Sequence, residues 1–150
     1  MSDNDVRYTA DTVLIAPDEA GVPHVLLVTR AYAPFKGRRA LPGGHVDDQD
    51  FAGTRDPRVA SRNAAARETS EEAGVAVPPD TLRFLGTWDA PGRDPRGPYS
   101  TDAYVAELTS MPRPMAGDDA SVAEWVPFDE ALKELLAFDH NDIAAAANRR

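Results

Sequence analysis

Cysteine is missing altogether from the 150 residues. Its absence excludes disulfide bonds and thiolate metal centres, and no redox compartment can be read from thiols. Basic residues are scarce beside acidic ones: 16 Lys and Arg against 25 Asp and Glu, a formal charge of −9. That balance argues against a general nucleic-acid or anionic-membrane surface. It suits a protein that recruits a cation and then uses it to bind phosphates. Long apolar runs are lacking too, since none approaches the ~20 residues that cross a bilayer. The first residues, Met1-Ser2-Asp3-Asn4-Asp5, have neither the basic nor the apolar region of a signal peptide. A cytoplasmic location is the expectation, with no nucleic-acid and no membrane partner. Internal repeats, low-complexity runs and a dividing linker are absent as well.

What is present is ordinary for a soluble globular protein: 42% hydrophobic and 27% charged residues. A chain of this length is expected to form a single domain over 1–150 with a sizeable core. Val6 to Ala16 and Val22 to Thr29 are rich in β-branched and aliphatic residues, and the turn Asp18-Glu19-Ala20-Gly21 between them predicts a hairpin. Ala40 to Leu41 reads as a strand end running into a Gly43-Gly44 turn. Asp56-Pro57 is a helix start, with aspartate as N-cap and proline at the first helical position. Gly74 is the matching stop, so a helix is expected from Pro57 to Ala73. Its stripe of Ala65, Ala66, Thr69 and Ala73 suits close packing on a sheet. Leu82 to Trp88, Asp102 to Leu108 and Ala123 to Val126 read as strands, and Asp129 to Leu136 and Asn141 to Arg149 as helices. Strands and helices mix without strict alternation, which predicts α+β with a mixed sheet flanked by helices.

The end of the first helix carries the chemistry. Arg67-Glu68-Thr69-Ser70-Glu71-Glu72-Ala73-Gly74 places three carboxylates within five residues. At about 100° per residue, Glu68, Glu71 and Glu72 share one face of a helix. Like charges one turn apart weaken a helix, and anions near its C-terminus oppose the macrodipole. A helix so burdened usually faces a cation, and hard divalent ions are held by one or two carboxylates plus substrate phosphates. Taken alone, the cluster reads better as a solvated acidic helix end.

Upstream stands Leu41-Pro42-Gly43-Gly44-His45-Val46. Together the two segments resemble the Nudix hydrolase signature, a Gly-Gly loop followed by a helix ending in R-E-x-x-E-E-x-G. The resemblance implies an α/β/α sandwich and a Mg²⁺- or Mn²⁺-dependent hydrolase. It implies Glu68, Glu71 and Glu72 as metal ligands, completed by the backbone carbonyl near Gly44. It also implies Arg67 as the arginine that orients a neighbouring glutamate, and Glu68 as the group that positions or deprotonates water. Gly43 and Gly44 would allow a turn that side chains block.

One departure stands out. The family pattern has a glutamate six residues after the second glycine and eight before the arginine. Here Gly44 and Arg67 lie 23 positions apart, nine more than that pattern requires. Counting forward reaches Asp50, and counting back reaches Val59. An insertion rich in acids and turn formers therefore occupies Asp47 to Asp56, and Asp47, Asp48 or Asp50 stands in for the glutamate. Relatives also draw a carboxylate from a later loop, for which Asp118 and Asp119 are the candidates and Glu124 the next choice.

Arg30, Lys36, Arg38, Arg39, Arg93 and Arg96 are the cations expected to meet phosphate in this acidic chain. Any single one taken alone reads as a solvated surface charge. Their segments, with Leu136-Ala137-Phe138-Asp139-His140, resemble the family branch that includes ADP-ribose pyrophosphatases. Trp88 or Phe35 is a candidate to stack on a base, Trp125 reads as core, and His140 as a structural hydrogen-bonding histidine. The resemblance implies a nucleotide diphosphate substrate, ADP-ribose-like compounds foremost, and many relatives are dimers, which makes a homodimer an expectation. Two other readings remain: a nucleoside triphosphate pyrophosphohydrolase and a non-catalytic domain that senses a nucleotide metabolite. The intact Arg67, Glu68, Glu71, Glu72 and Gly74, the acidic charge and the lack of a winged-helix segment after Arg150 favour the enzyme over the sensor.

Overall fold

The computed structural model describes residues 5–117 and 119–148. Seven strands form one mixed sheet: β1 (Arg7–Pro17), β2 (Pro23–Arg30), β3 (Arg39–Ala40), β4 (Gly43–His45), β5 (Arg83–Trp88), β6 (Tyr99–Glu107) and β7 (Ala120–Pro127). Three helices accompany them: α1 (Pro57–Ala73), α2 (Phe128–Lys133) and α3 (His140–Asn148). The central path runs β3-β2-β1-β6-β5, with β4 added to β1 and β7 to β2. Among the described residues only β1 and β6 pair in parallel; every other pairing is antiparallel. The fold is α+β, as the mixed pattern of strands and helices predicts. No helix among the described residues is long and apolar enough to cross a membrane.

Strand alternation divides the core into two layers. Ala10, Leu14, Leu26, Val28, Tyr104 and Ala106 face α1, where Ala64, Ala65, Ala66 and Ala73 let the helix approach closely. Val13, Val25, Leu27, Ala103 and Val105 face the other way, onto Phe128 and Ala131 of α2 and Ile143, Ala144 and Ala147 of α3. Across the first layer, the hydroxyls of Thr12 and Thr69 and the Ala65 carbonyl form a buried triangle with sides of 2.7, 3.0 and 3.2 Å. It fixes the rotation of α1 on β1, and with it the direction in which the acidic face points.

Helix α1 has the bounds its end signals predict. Asp56 accepts a hydrogen bond from the Arg58 amide at 2.9 Å, Pro57 follows it, and Gly74 closes the helix in the left-handed region at φ 70°. Elsewhere the boundaries move. Strand β6 begins at Tyr99 rather than Asp102, because its pairing with β1 continues as far as Arg7↔Tyr99. Helix α2 stops at Lys133 rather than Leu136, because Glu134 leaves the helix and meets Arg39. The Gly43-Gly44 segment is not a turn. It forms β4 on the edge of β1, in register Asp11↔Gly43 and Ala10↔Gly44.

Candidate functional site

The site arises where β1 and β2 part company. The two strands pair only beside their connecting turn, at Ile15↔Val25, Ala16↔His24 and Pro17↔Pro23. Farther along, β1 takes β4 as its neighbour and β2 takes β3, while β7 pairs β2 from His24 to Arg30. The parting opens a cavity of about 230 Å³ between Thr9 and Asp11 on one strand and Val28 and Arg30 on the other.

One wall is acidic. Glu68 and Glu72 project from α1, with the backbone of Gly43 and Gly44 beside them. The Gly43 amide donates to Glu72 Oε1 at 2.8 Å. Glycine is required here by close approach rather than by a turn. A Cβ on Gly44 would lie 1.7 Å from Glu68 Oε2, and one on Gly43 would lie 2.0 Å from Asp11 Oδ1. Burial pushes Glu72 up to about 8, with Glu68 and Asp11 adding to the rise and the Gly43 amide opposing it. Burial likewise pushes Glu68 up to about 7, against the pull of Arg67. Both carboxylates are therefore short of positive charge.

Arg67 organises the back of this wall. Its Nε and Nη2 donate to the two oxygens of Asp50, and Nη1 donates to Glu68 Oε1 at 2.8 Å and Glu71 Oε1 at 3.0 Å. Nη2 also reaches the His45 carbonyl at 3.0 Å and lies 3.3 Å from Asp47 Oδ2. Of the three acids put forward to stand in for the family glutamate, Asp50, the residue reached by counting forward from Gly44, is the bidentate partner. A single 3-10 turn, Asp48–Phe51, carries it, and the Asp47 amide closes back on its carboxylate at 2.7 Å. Burial opposes ionisation of Asp50, yet Arg67 and that amide outweigh it and hold the group below the usual range.

The facing wall is cationic. Arg30, Arg93 and Arg96 all line the cavity. Arg93 is clipped by Asp139 through Nε at 2.9 Å and Nη2 at 2.6 Å. Arg96 is clipped by Asp94 through Nε at 3.0 Å and Nη2 at 2.8 Å. Arg30 has no carboxylate partner among the described residues; its Nε donates to the Pro34 carbonyl at 2.6 Å and its guanidinium lies over the Phe138 ring at 5.0 Å. Burial, then the charge of Arg96, lowers its pKa. Among the described residues Arg30 thus brings a charge without a carboxylate clip, and Arg93 and Arg96 bring fixed directions.

Other expected residues fall elsewhere. Glu71 turns to Arg67 and is not on the cavity wall. Arg39 forms a bidentate pair with Glu134, and its Nη1 donates to Glu124 at 2.7 Å, so it joins β3 to β7 and the end of α2 rather than facing a ligand. The same contact removes Glu124 as the later carboxylate. Lys36 and Arg38 are exposed away from the wall, Arg38 over Phe35. Asp119 does line the cavity, whereas Asp118 falls outside the described residues. Phe35 packs edge-on to Phe138, and Trp88 packs against the second core layer. His140 makes the hydrogen bonds of a structural histidine while also lining the cavity: its Nδ1 accepts from the Leu41 amide at 2.9 Å, and its Nε2 faces Asp11 Oδ2 at 3.6 Å.

Sequence reasoning missed Asp11, Asp94, Asp139 and the cavity-lining Phe138. Asp11 had a signal, being the lone carboxylate of β1, two residues before the apolar run Val13-Leu14-Ile15-Ala16. It is buried and accepts from Thr101 at 2.7 Å. Burial opposes its ionisation, but His140, Thr101 and Arg93 together lower its pKa.

A NUDIX domain model matches residues 6–147. The chain belongs to the NUDIX domain family. It is 35% identical over 119 residues to an ADP-ribose pyrophosphatase of Methanocaldococcus jannaschii, a match covering 79% of this chain and 62% of that protein. It is 32% identical over 145 residues to the ADPR responsive transcriptional repressor NtrR of Acinetobacter baylyi, covering 95% of this chain and 53% of the repressor. The chain thus spans between half and two thirds of the length of these curated relatives. Among solved structures it is similar to the NUDIX domain of Shewanella oneidensis NrtR complexed with ADP ribose, at TM-score 0.82 and 28% identity, over 97% of this chain and 88% of that one. Its relatives are thus of two kinds, an ADP-ribose pyrophosphatase and an ADPR responsive repressor.

Proposed function

We propose that this chain is a cytoplasmic pyrophosphohydrolase of nucleoside diphosphates linked to another moiety, with ADP-ribose-like compounds as its leading substrates. The observation that carries the reading is the opposition, across one cavity, of Glu68 and Glu72 to Arg30, Arg93 and Arg96. A diphosphate fits such a place, its anionic oxygens meeting guanidinium groups. The similarity to an ADP-ribose pyrophosphatase supports the substrate class.

The acidic wall suits a hard divalent cation, Mg²⁺ or Mn²⁺. Its donors are all oxygens, burial holds both glutamates above their ordinary range, and Gly44 has no side chain to fill the space beside Glu68. The described residues contain no cluster of three side-chain ligands already gathered for a metal. Mg²⁺ takes one or two carboxylates and completes its shell with substrate phosphate and water. Glu72 and Glu68, with the Gly44 carbonyl, would hold the ion, and Glu71 would serve by keeping Arg67 in place. Such an ion supplies charge neutralisation and polarises phosphorus.

The chain's own residues supply the rest. Glu68, held beside Gly44 on the cavity wall, is the carboxylate that would position or deprotonate the attacking water. Arg67 holds Glu68 by one oxygen and leaves the other toward Gly44. Asp119, at the cavity lip, is the later carboxylate available as a second base. Arg30 meets the phosphates as an unpaired charge, and Arg93 and Arg96 orient them.

A second reading has its own support: the chain matches half of a transcriptional repressor over nearly its whole length, which fits a domain that binds ADP-ribose-like ligands without turning them over. A substrate panel separates the two. ADP-ribose, NADH, sugar nucleotides, diadenosine polyphosphates and nucleoside triphosphates are incubated with Mg²⁺, Mn²⁺ or EDTA, and products are resolved by chromatography. AMP from ADP-ribose, abolished by EDTA, is the expected result. Pyrophosphate released from a triphosphate overturns the substrate class, and tight binding without turnover overturns the enzyme.

A further inference from the structure

Asp139 occupies the position just before α3, where an aspartate ordinarily caps the first turn by accepting backbone N–H bonds. It does not cap. Both of its carboxylate oxygens go instead to Arg93, 46 residues away in the chain. The left-handed backbone of Phe138, at φ 53°, is unusual for a bulky residue. In this turn the Phe138 ring lies under Arg30 while Asp139 reaches Arg93. The segment is anchored on both flanks: the Ala137 amide donates to the Arg39 carbonyl at 2.9 Å, and His140 accepts from the Leu41 amide.

The consequence falls on Arg93. Its side chain is only 4% exposed, and Asp139 occupies Nε and Nη2. Nη1 has no hydrogen-bond partner among the described residues, and none of their buried side-chain nitrogens is left unpartnered. Nη1 is therefore the edge that Arg93 shows to the cavity it lines. Arg96 is held in the same way by Asp94, but that clip is local, within one loop. The Arg93 clip exists only because α3 delivers Asp139.

We propose that Asp139 is a positioning residue for anion recognition: by holding one edge of Arg93 it aims Nη1 at an anionic oxygen of a diphosphate lying between the arginines and Glu68 and Glu72. Asp139 itself never touches that ligand. The inference rests on reading the cavity as a nucleoside diphosphate site. It gives the diverted cap a purpose, since a guanidinium fixed along one edge loses little further freedom when its other edge binds.

The test compares wild type, Asp139→Asn, Asp139→Glu, Arg93→Lys and the Asp139→Asn/Arg93→Lys double variant. Steady-state kinetics use ADP-ribose, melting temperature reports stability, and calorimetry measures binding of ADP, which needs no turnover. Asp139→Asn and Arg93→Lys each raise KM and weaken ADP binding about tenfold, with kcat within about twofold. The double variant is no worse in KM than Arg93→Lys alone, because both act through one contact. Asp139→Glu, which keeps the charge but moves it, shifts KM in the same direction and keeps the proposal testable if Asp139→Asn does not fold. A purely structural ion pair lowers the melting temperature and leaves KM and ADP affinity alone. That result, or additive effects in the double variant, or a wild type that does not bind ADP, overturns the proposal. Wild type that binds ADP, loses that affinity in Asp139→Asn and hydrolyses nothing overturns the hydrolase reading but upholds the positioning role.

Discussion

Asp50 grips Arg67 along one edge, Nε to Oδ1 and Nη2 to Oδ2, both at 2.9 Å and across 17 residues of chain. Asp50 is 4% exposed and Arg67 is half-buried, so the pair is a part-buried, charge-assisted fork. The free edge of Arg67 then reaches Glu68 and Glu71, which places the acidic face under the control of a residue in the inserted turn.

Asp50→Asn tests that control. It removes the bidentate partner of Arg67, which keeps only Glu68, Glu71 and the more distant Asp47, and stability falls by roughly 1–3 kcal/mol. The melting temperature drops by about 2–4 °C for each kcal/mol. Glu68 loses part of its orientation, and kcat falls about tenfold. Thermal denaturation with steady-state kinetics measures both, and an unchanged kcat would detach Asp50 from the site.

Glu72→Gln keeps the shape of the side chain and its acceptor for the Gly43 amide. The fold should survive, while kcat falls by ~10²-fold or more, because a metal ligand supplies several kcal/mol of transition-state stabilisation. Circular dichroism confirms the fold, and wild-type turnover in this variant would remove Glu72 from the active wall.

Gly44→Ala asks whether the glycine is needed for space. A methyl group at that position would meet Glu68 Oε2 at 1.7 Å, and the carboxylate must swing away. Displacement of a reacting group by about 1 Å lowers rates by up to ~10²-fold. The expected variant folds, binds a nucleotide and turns over at least tenfold more slowly. Full activity would show that Glu68 works from another rotamer.

Metal-free protein should lose stability as pH rises. Glu68 and Glu72 are raised to about 7 and about 8 in the folded chain, above the ordinary carboxylate value near 4.3. Between roughly pH 4.5 and 8 the folded state therefore binds more protons than the unfolded one, and the slope of unfolding free energy against pH is negative. Their protonated forms favour folding below that window, and the advantage is gone above it. Glu72→Gln removes part of the slope and raises the melting temperature at pH 8 in EDTA. Denaturation at pH 5 and pH 8, with EDTA and with Mg²⁺, checks the sign; Mg²⁺ should flatten the trend by favouring the ionised carboxylates. Stability that climbs from pH 5 to 8 in EDTA would contradict the burial of these two groups.

Local chemistry determined a great deal on its own. Asp56-Pro57 and Gly74 set the ends of α1 because a cap needs an acceptor and a C-terminus needs a left-handed residue. The helical period put Glu68 and Glu72 on one side, and the alternation of β1, β2 and β6 separated the two core layers. The two signature segments, Leu41 to Val46 and Arg67 to Gly74, marked the family. Each of these depends on residues near one another in the chain, so the sequence shows it directly.

Tertiary structure decided the rest. The Gly43-Gly44 segment became a strand because β1 offered an unpaired edge, and its glycines are there to admit Glu68 and Asp11 rather than to turn. Arg39 and Arg93 look alike in sequence, yet one is consumed by Glu134 and Glu124 while the other faces the cavity. Glu71, equal to Glu72 by helical position, was drawn off by Arg67. A charged side chain takes the role its partners leave it, and those partners, Asp50 for Arg67 and Asp139 for Arg93, come from distant segments that meet only when the sheet closes.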